Sequence, residues 1–312
     1  MTNVFVDGSA GTTGLNILER LAGRQDIALL TLPEERRKDE SSRREMLNAA
    51  DLVFLCLPDA AAREAVSWLK DPSVRVIDTS TAHRTAPGWV YGFPELSGQR
   101  ERIMSARLVA NPGCHASGFI ALARPLAEEG MIPPDTALTS FSLTGYSGGG
   151  KKMIAEYEAP DRPALLDAPR MYGLGQTHKH LPEMQALCGL DAAPAFCPVV
   201  APYYAGMEVV VPLFRGQCKA APAEIAACYE AYYRCGLVRY TPADSEGGFL
   251  SANALQGTDE LHVTVCGNGE RILLVARFDN LGKGACGAAI QNMNLMTGRP
   301  EYEGLRLMED MK

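Results

Sequence analysis

Apolar and polar positions along the first quarter of the chain form short strand-like runs separated by helical patterns. The apolar runs occupy residues 3–7, 27–32, 52–57 and 74–78, and a predicted helix separates each run from the next. The second of these helices is predicted to open with a capping box at Ser42. Near-continuous apolar runs are typical of strands buried on both faces of a parallel sheet. This alternation predicts a doubly wound α/β sheet with right-handed crossovers.

The turn after the first strand reads Gly-Ser-Ala-Gly-Thr-Thr-Gly over residues 8–14. Glycines in such a turn let the backbone approach a pyrophosphate, which then rests on the N-terminus of the next helix. The spacing is G-x-x-G-x-x-G instead of G-x-G-x-x-G, so an ordinary βα turn stays open as an alternative. Residues 36–38 are all basic and follow the second strand, where they suit the 2′-phosphate of NADP or form a solvated charged loop.

Beyond Gly130 the pattern changes to longer alternating runs, which are typical of antiparallel strands. Strand-like runs lie at residues 138–144, 196–204, 208–214, 262–266 and 271–278, with a helix near residues 222–234. The sequence therefore predicts an α+β domain with a largely antiparallel sheet. A last helix, over residues 285–297, has the composition to return to the first domain.

These patterns divide the chain into two domains. We expect an NADP-binding Rossmann domain over residues 1–113 and 285–312. We expect a catalytic domain, which also carries substrate binding and oligomerisation, over residues 114–284. No internal repeat or low-complexity tract interrupts either one.

Composition narrows the function classes. The 312 residues carry a formal charge of −7, which argues against nucleic acid as the main partner. No apolar run reaches about 18 residues, so no membrane span is expected, and the first residues do not resemble a signal peptide. The nine cysteines are odd in number, and no pair has C-x-x-C spacing, so we expect reduced thiols in a cytoplasmic protein.

A candidate nucleophile lies in Asn111-Pro112-Gly113-Cys114, which a helical apolar pattern follows as far as Gly130. Asn111 suits the N-cap and Pro112 the first helical position. Cys114 then falls in the first turn, where unpaired backbone N–H groups and the helix dipole favour a thiolate. A buried structural cysteine is the alternative interpretation.

A nucleophilic cysteine needs a group that manages protons, most often histidine. His178 and His180 lie together at a loop-to-helix junction and are the preferred candidates, although a surface pair is also consistent with the pattern. His115 is discounted, because adjacent residues on a helix point about 100° apart. His262 lies in a strand pattern and is interpreted as structural. No third ligand has metal-binding spacing, so no metal site is expected.

Cationic side chains complete the candidate chemistry. Residues 145–152 are interpreted as a flexible glycine loop that carries Lys151 and Lys152, which together with Arg84 are candidates for binding an anion. A nucleophilic cysteine together with a nicotinamide cofactor is the chemistry of aldehyde–acyl interconversion through a thioester.

The ordered set of motifs resembles the shorter class of N-acetyl-gamma-glutamyl-phosphate reductases of arginine biosynthesis. The motifs that carry the resemblance lie at residues 8–14, 78–84, 91–96, 111–114, 147–150, 178–183 and 279–294. The resemblance implies a fold similar to that of aspartate-semialdehyde and glyceraldehyde-3-phosphate dehydrogenases. One departure is that the family's usual Asn-Pro-Gly-Cys-Tyr-Pro-Thr reads Asn-Pro-Gly-Cys-His-Ala-Ser here.

The resemblance implies NADPH-dependent reduction of N-acetyl-glutamyl 5-phosphate to N-acetylglutamate 5-semialdehyde, with Cys114 as nucleophile and His180 or His178 as acid/base. It implies a small-molecule acyl phosphate substrate and a homotetramer. The residues expected to bind NADPH or NADP are Gly8, Ser9, Gly11, Thr12, Thr13, Gly14, Arg36, Arg37, Ser80, Asn280 and Lys283. The residues expected to bind substrate are Arg84, Asn111, Ser147, Gly148 and Lys151.

Two alternatives stay open at this point. A different dicarboxylic acyl phosphate, such as an aspartyl or aminoadipyl one, fits the same machinery. A non-catalytic NADP-binding regulator would keep the fold without the reaction.

Overall fold

The computed structural model describes residues 1–242 and 246–308. Residues 309–312 of the expected first domain and residues 243–245 of the expected second domain lie outside this described part. The chain divides into two compact units. The first combines Met1–Pro112 with Ala285–Leu305, and the second combines Gly113–Gly284 with the segment that begins at Arg306.

A six-stranded sheet forms the centre of the first unit. Its strands are β1 (Thr2–Asp7), β2 (Ile27–Leu30), β3 (Leu52–Leu55), β4 (Arg75–Asp78), β5 (Val90–Tyr91) and β6 (Leu108–Ala110). The order is β2-β1-β3-β4-β6-β5, and every neighbouring pair is parallel. This topology confirms the predicted Rossmann domain.

Both faces of this sheet are covered, which explains the near-continuous apolar runs. Val4 and Val6 pack into one core cluster, whereas Phe5 between them packs into the cluster on the opposite face. The helices in this part of the chain are α1 (Thr12–Leu21), α2 (Glu40–Ala49), α3 (Asp59–Ser67) and α4 (Gln99–Ser105).

The start of α2 differs from the prediction. The N-cap is Asp39, whose carboxylate accepts a hydrogen bond from the backbone N–H of Ser42 at 2.8 Å. The capping box predicted at Ser42 was therefore wrong. The short acidic side chain of Asp39 reaches the free N–H of the first turn, so the helix begins two residues before Ser42.

A seven-stranded mixed sheet organises the second unit. Its strands are β7 (Thr139–Gly145), β8 (Arg170–Met171), β9 (Ala195–Ala201), β10 (Met207–Phe214), β11 (Val238–Tyr240), β12 (Leu261–Gly267) and β13 (Arg271–Phe278). The order is β11-β12-β13-β10-β7-β9-β8. The β11–β12 and β7–β9 pairs are parallel and the other four are antiparallel, which confirms the largely antiparallel prediction.

The helices of the second unit are α5 (Cys114–Glu128), α6 (Gly150–Glu158), α7 (Leu181–Cys188) and α8 (Pro222–Tyr232). Helix α5 lies against the central strands β10 and β13. A Cβ at Gly118 of this helix would come within 2.5 Å of the Val209 side chain, so glycine permits the close approach of helix and sheet.

The last helix, α9 (Gly287–Met296), follows a π-helical turn at Gly282–Cys286. Its apolar residues, among them Ala289, Ile290 and Met293, belong to a core cluster of the first unit. This packing confirms the prediction that the C-terminal helix returns to the first domain. In the described residues, no helix combines the length and the apolar character that crossing a membrane requires.

Candidate active site

The glycine-rich turn of the first unit packs too tightly for larger residues. Gly8 has a φ of +88°, and a Cβ there would lie 2.2 Å from the carbonyl oxygen of Cys56, just beyond β3. A Cβ at Gly14 would lie 2.6 Å from the carbonyl oxygen of Gly8. Helix α1 has Gly11 as its N-cap and no side-chain cap. Its first N–H groups therefore lack the usual side-chain partner, as in turns that bind phosphate.

A cavity of about 610 Å³ opens beside this turn. Asp7, Gly8 and Ser9 line it from the β1 side, and Thr31 and Leu32 line it from the segment after β2. This is the end of the sheet where strand order reverses between β1 and β3, the position at which doubly wound folds bind ligands. The turn after β1 and the segment after β2 are the two places where the sequence predicts nucleotide binding.

The basic run after β2 is only partly on this cavity. Arg37 and Lys38 line it, whereas Arg36, in the 3-10 turn Glu34–Arg36, is not among the lining residues. Glu34 and Glu35 also line the cavity, so both signs of charge are present there.

Arg43 is a lining residue that the sequence analysis missed. Its guanidinium donates to both carboxylate oxygens of the buried Asp7, with Nη2 lying 2.9 Å from Oδ2. This pair ties α2 to the end of β1. No local pattern signals it, because the two residues are 36 positions apart.

The loop after β4 is held by its own polar side chains. The buried Asp78 accepts hydrogen bonds from the backbone N–H and the hydroxyl of Ser80, and the His83 ring nitrogen Nδ1 lies 2.6 Å from Oδ2. Arg84 donates to the carbonyl oxygens of Asn111 and Thr79. The two predicted ligand residues of this loop, Ser80 and Arg84, thus also fix its conformation.

Asn111 lies in the first unit and is not the N-cap of α5. Its Nδ2 donates to the Ala285 carbonyl at 3.0 Å, and its Oδ1 accepts from Asn292 at 3.2 Å. The N-cap is Gly113, with an extended backbone, and Cys114 is the first helical residue. The predicted N-cap was therefore wrong by two residues. The prediction that Cys114 lies in the first turn is confirmed.

Cys114 is half-buried, and its surroundings in the second unit come from distant segments. Oε2 of Glu183, on α7, accepts a hydrogen bond from the Gly113 N–H at 3.2 Å. A Cβ at Gly284 would lie 3.1 Å from the Cβ of Cys114, so the turn that contains Lys283 packs against the cysteine. The Lys283 side chain itself is buried.

Three histidine rings cluster near the start of α5. His115 directly follows Cys114 in the sequence, and the rings of His178 and His180 pack against it. The ring centroids of His178 and His180 lie 4.7 Å apart, and each lies 5.6 Å from the centroid of His115. His115 is set aside as the acid/base on the helical geometry, yet the structure places its ring in this cluster. The 100° rotation between neighbouring helical residues carries its ring into this cluster instead of away from it.

His115 is buried, and each of its two ring nitrogens has a hydrogen-bond partner. Its Nδ1 lies 2.6 Å from the Ser142 hydroxyl and its Nε2 lies 2.6 Å from the Tyr172 hydroxyl. Burial, reinforced by the neighbouring His178, lowers the pKa of His115 to about 3. The ring is therefore neutral at physiological pH and donates from only one nitrogen.

Tyr172, Ser142 and Phe196 were not singled out from the sequence. Burial raises the pKa of Tyr172, and the negative charge of a Cys114 thiolate raises it further. Phe196 packs edge-on against His115 and His178. No local pattern signals Ser142, because alternation along β7 favours burial of Phe141 and Leu143, whereas the structure buries the serines between them.

The predicted glycine loop at residues 145–152 is more ordered than expected. Tyr146–Gly149 form a 3-10 turn and α6 begins at Gly150, so Lys151 lies exposed on a helix. The residues after Gly150, from Lys151 to Glu158, are mostly good helix formers, which explains the helix. Gly148, another predicted substrate residue, is exposed as well.

Ser147 and Asn280 are connected to each other. The Asn280 side chain donates to the Ser147 hydroxyl at 2.9 Å and accepts from the Gly206 N–H at 2.9 Å. Both residues are buried. Within the described residues, no group of three or more histidine, cysteine, aspartate or glutamate side chains is arranged to hold a metal ion.

Comparison with known proteins agrees with this division of the chain. Residues 3–106 match the family "Semialdehyde dehydrogenase, NAD binding domain", and residues 114–280 match "Semialdehyde dehydrogenase, dimerisation domain". Aspartate semialdehyde dehydrogenase II from Vibrio cholerae, complexed with ASA, has a similar fold, with a TM-score of 0.70 and 17% identity over 96% of this chain and 98% of that one.

Similarity in sequence is much higher to named reductases. N-acetyl-gamma-glutamyl-phosphate reductase 2 from Pseudomonas putida is 46% identical, and the alignment covers 96% of this chain and 98% of that protein. The protein of the same name from Nostoc sp. is 45% identical, with 97% and 98% covered. At this identity over nearly the whole length, the chain belongs to the N-acetyl-gamma-glutamyl-phosphate reductase family.

Proposed function

We propose that the protein is an NADPH-dependent reductase that converts N-acetyl-glutamyl 5-phosphate to N-acetylglutamate 5-semialdehyde and phosphate, in arginine biosynthesis. The observation that carries the proposal is Cys114 at the first position of α5 beside three histidines, in a chain 45–46% identical to reductases of that name. Cysteine at a helix N-terminus is favoured as a thiolate, which is the nucleophile that acyl transfer requires.

The chain's own residues supply binding and proton management. The Cys114 thiolate forms a bond to the acyl carbon of the substrate and phosphate leaves, which gives a thioester on Cys114. NADPH, when bound, supplies the hydride that reduces this thioester. His180 or His178 protonates the oxygen of the resulting thiohemiacetal and takes that proton back as the aldehyde leaves and the thiolate returns.

The residues of the first unit fit a dinucleotide. The turn at residues 8–14 offers backbone N–H groups at a helix without a side-chain cap. In the described part of the chain, no hydrogen-bond partner reaches the buried Oγ1 of Thr12 in that turn, as expected of an atom that binds a ligand. Arg37 and Lys38 would hold the 2′-phosphate, and Ser80 remains a predicted cofactor residue. Asn280 and Lys283 likewise remain predicted cofactor-binding residues.

Substrate contacts are assigned on the resemblance. Arg84, Asn111, Ser147, Gly148 and Lys151 stay predicted substrate residues. The exposed Lys151 is the one whose charge is most accessible to a phosphate group. A cytoplasmic location also stays a prediction.

We also propose that copies of the chain associate through the outer face of the second sheet. Phe141, Val210 and Leu273 point to this face from β7, β10 and β13, and Phe141 and Leu273 are 39% and 42% exposed. An apolar sheet face of this kind fits a second copy, in line with the name of the dimerisation-domain family. Assembly as a tetramer rests on the resemblance alone.

The reverse reaction tests the proposed function, because the acyl phosphate is unstable. N-acetylglutamate 5-semialdehyde, phosphate and NADP are supplied, and formation of reduced cofactor is followed by absorbance. We expect phosphate-dependent reduction of NADP with this aldehyde and little with aspartate semialdehyde or with NAD. A signal only with another semialdehyde would support the same reaction on a different substrate. No signal with any of the aldehydes would favour the alternative of a non-catalytic NADP-binding regulator.

A further inference from the structure

His115 lies at the point where this chain departs from the family's Cys-Tyr sequence. Its ring is surrounded by His178, His180 and Phe196. Both ring nitrogens are in short hydrogen bonds, with Ser142 on one side and Tyr172 on the other. The side chain therefore has no freedom to rotate without breaking two buried hydrogen bonds.

The charge state of the His115 ring follows from its surroundings. A second positive charge among three imidazoles within 6 Å is unfavourable, and burial adds a desolvation cost. His115 is 3% exposed, and its pKa of about 3 keeps it neutral. This makes His115 unsuitable as the acid/base, and suitable as a fixed donor and acceptor.

The tautomer decides what Tyr172 presents to its surroundings. If Nδ1 accepts from the Ser142 hydroxyl, Nε2 carries the proton and donates to the Tyr172 oxygen. The phenol proton is then available to another acceptor. His115 directly follows Cys114 at the start of α5, and the Tyr172 hydroxyl lies 2.6 Å from its Nε2, so the phenol lies one side chain away from the residue next to the nucleophile. The raised pKa of Tyr172 keeps that proton on the phenol.

We propose that His115 is a positioning residue which, together with Ser142, holds the Tyr172 hydroxyl as a neutral hydrogen-bond donor to the oxygen that becomes negative on the Cys114 adduct. No proton is transferred in this role, because the phenol keeps its hydrogen throughout. The proposal rests on the proposed function. It assigns charge stabilisation to Tyr172 and leaves proton transfer to His178 or His180.

The test compares single and double variants in the reductase assay. Tyr172→Phe and His115→Phe are each expected to lower kcat about 100- to 1,000-fold, the usual loss on removing one oxyanion donor, with KM within about threefold. The double variant is expected to be no worse than the poorer single variant, because both changes remove one function. Tyr203→Phe is the matched control, since its buried hydroxyl has no hydrogen-bond partner among the described residues.

Two substitutions at His115 separate positioning from packing. The amide of Gln reaches about as far as Nε2 and that of Asn about as far as Nδ1. His115→Gln keeps the contact with Tyr172 and is expected to recover most of the rate, whereas His115→Asn keeps only the contact with Ser142 and is not. Thermal unfolding of each variant shows whether it folds.

A second readout does not depend on substrate. The hydroxyl donor also stabilises the Cys114 thiolate, so the pH midpoint of iodoacetamide alkylation is expected to rise by about half a unit or more in Tyr172→Phe and His115→Phe. If neither variant shifts this midpoint, or if their losses in kcat multiply in the double variant, the proposal is overturned. Failure of the proposed function would appear differently, as an inactive wild type with normal alkylation shifts.

Discussion

The Glu183 carboxylate accepts a hydrogen bond from the backbone N–H of Gly113 at 3.2 Å, and both residues are buried. Gly113 is the N-cap of α5, so this contact joins α7 to the helix end that carries Cys114. The histidine pair immediately precedes α7 in the chain. This hydrogen bond therefore links the nucleophile's helix to the segment that carries the acid/base candidates.

Removing that hydrogen bond is expected to impair catalysis while the protein still folds. Glu183→Ala leaves the buried Gly113 N–H without its acceptor, at a cost of about 1–3 kcal/mol, and we expect kcat/KM to fall at least about tenfold. Glu183→Gln keeps an acceptor oxygen and is expected to lose much less. Steady-state kinetics of the two variants, with circular dichroism as the folding control, makes the comparison. Equal losses in both would contradict a positioning role for the hydrogen bond.

Cys114→Ser is expected to abolish turnover nearly completely while leaving NADPH affinity within about threefold. A serine hydroxyl is a far poorer nucleophile without a dedicated base, and the cofactor cavity is lined entirely by other residues. Turnover and fluorescence titration with NADPH measure the two effects. Cys235→Ser, at an exposed cysteine, is the matched control. Substantial turnover in Cys114→Ser would exclude the thioester route.

The cavity-lining cations are expected to decide between NADPH and NADH. Arg37→Ala and Lys38→Ala are each expected to weaken NADPH binding about fivefold or more, because each removes a charge-assisted contact to the 2′-phosphate, and to leave NADH binding nearly unchanged. Arg36→Ala is expected to have a smaller effect, since Arg36 does not line the cavity. The measurement is the dissociation constant of NADPH and of NADH for each variant at one fixed ionic strength. A loss largest at Arg36 would show that Arg36, and not the cavity-lining pair, contacts the 2′-phosphate.

The buried His115 is expected to make folding stability depend on pH. Its pKa is about 3 in the folded chain, against an ordinary value of 6.5, so the unfolded chain binds more protons between these values. The unfolding free energy of the wild type is therefore expected to fall as pH falls from about 6.5 to about 4, by up to about 1.4 kcal/mol per pH unit from this residue. Urea denaturation of wild type and His115→Gln across this range isolates the contribution, because the variant lacks the titration. Parallel curves for the two proteins would mean that His115 is protonated in the folded state.

A charge on the outer sheet face is expected to weaken self-association. Phe141→Glu and Leu273→Glu put a carboxylate on the apolar surface that the proposed second copy would bury, which is unfavourable without a partner charge. Sedimentation velocity is expected to shift these variants toward smaller species. Met104→Glu, at an exposed apolar residue of α4 in the first unit, is the matched control. If only Met104→Glu reduces the assembly size, the interface lies elsewhere.

Local pattern was sufficient for much of the fold. The parallel sheet followed from apolar runs that are buried on both faces, as Val4 and Phe5 show by packing on opposite sides. The glycines of residues 8–14 and the position of Cys114 at a helix start were also readable, because they depend on backbone conformation within a few residues.

Helix starts were not readable in the same way. The cap of α2 depends on which of several suitable side chains reaches a free N–H, and spacing alone does not decide that. At α5 the N-cap is Gly113, which has no side chain, because the Asn111 side chain is hydrogen-bonded to Ala285 and Asn292 instead.

The arrangement around the nucleophile was decided only by tertiary structure. His115 meets Ser142 and Tyr172 across 27 and 57 residues of sequence, and Glu183 meets Gly113 across 70. The sequence determined that Cys114 would lie in the first turn of a helix and that histidines would be available to it. Which histidine is buried, neutral and tied to a phenol depends on how α5 packs against β7 and the segment after β8. Packing sets these distances, and no periodicity in the sequence encodes them.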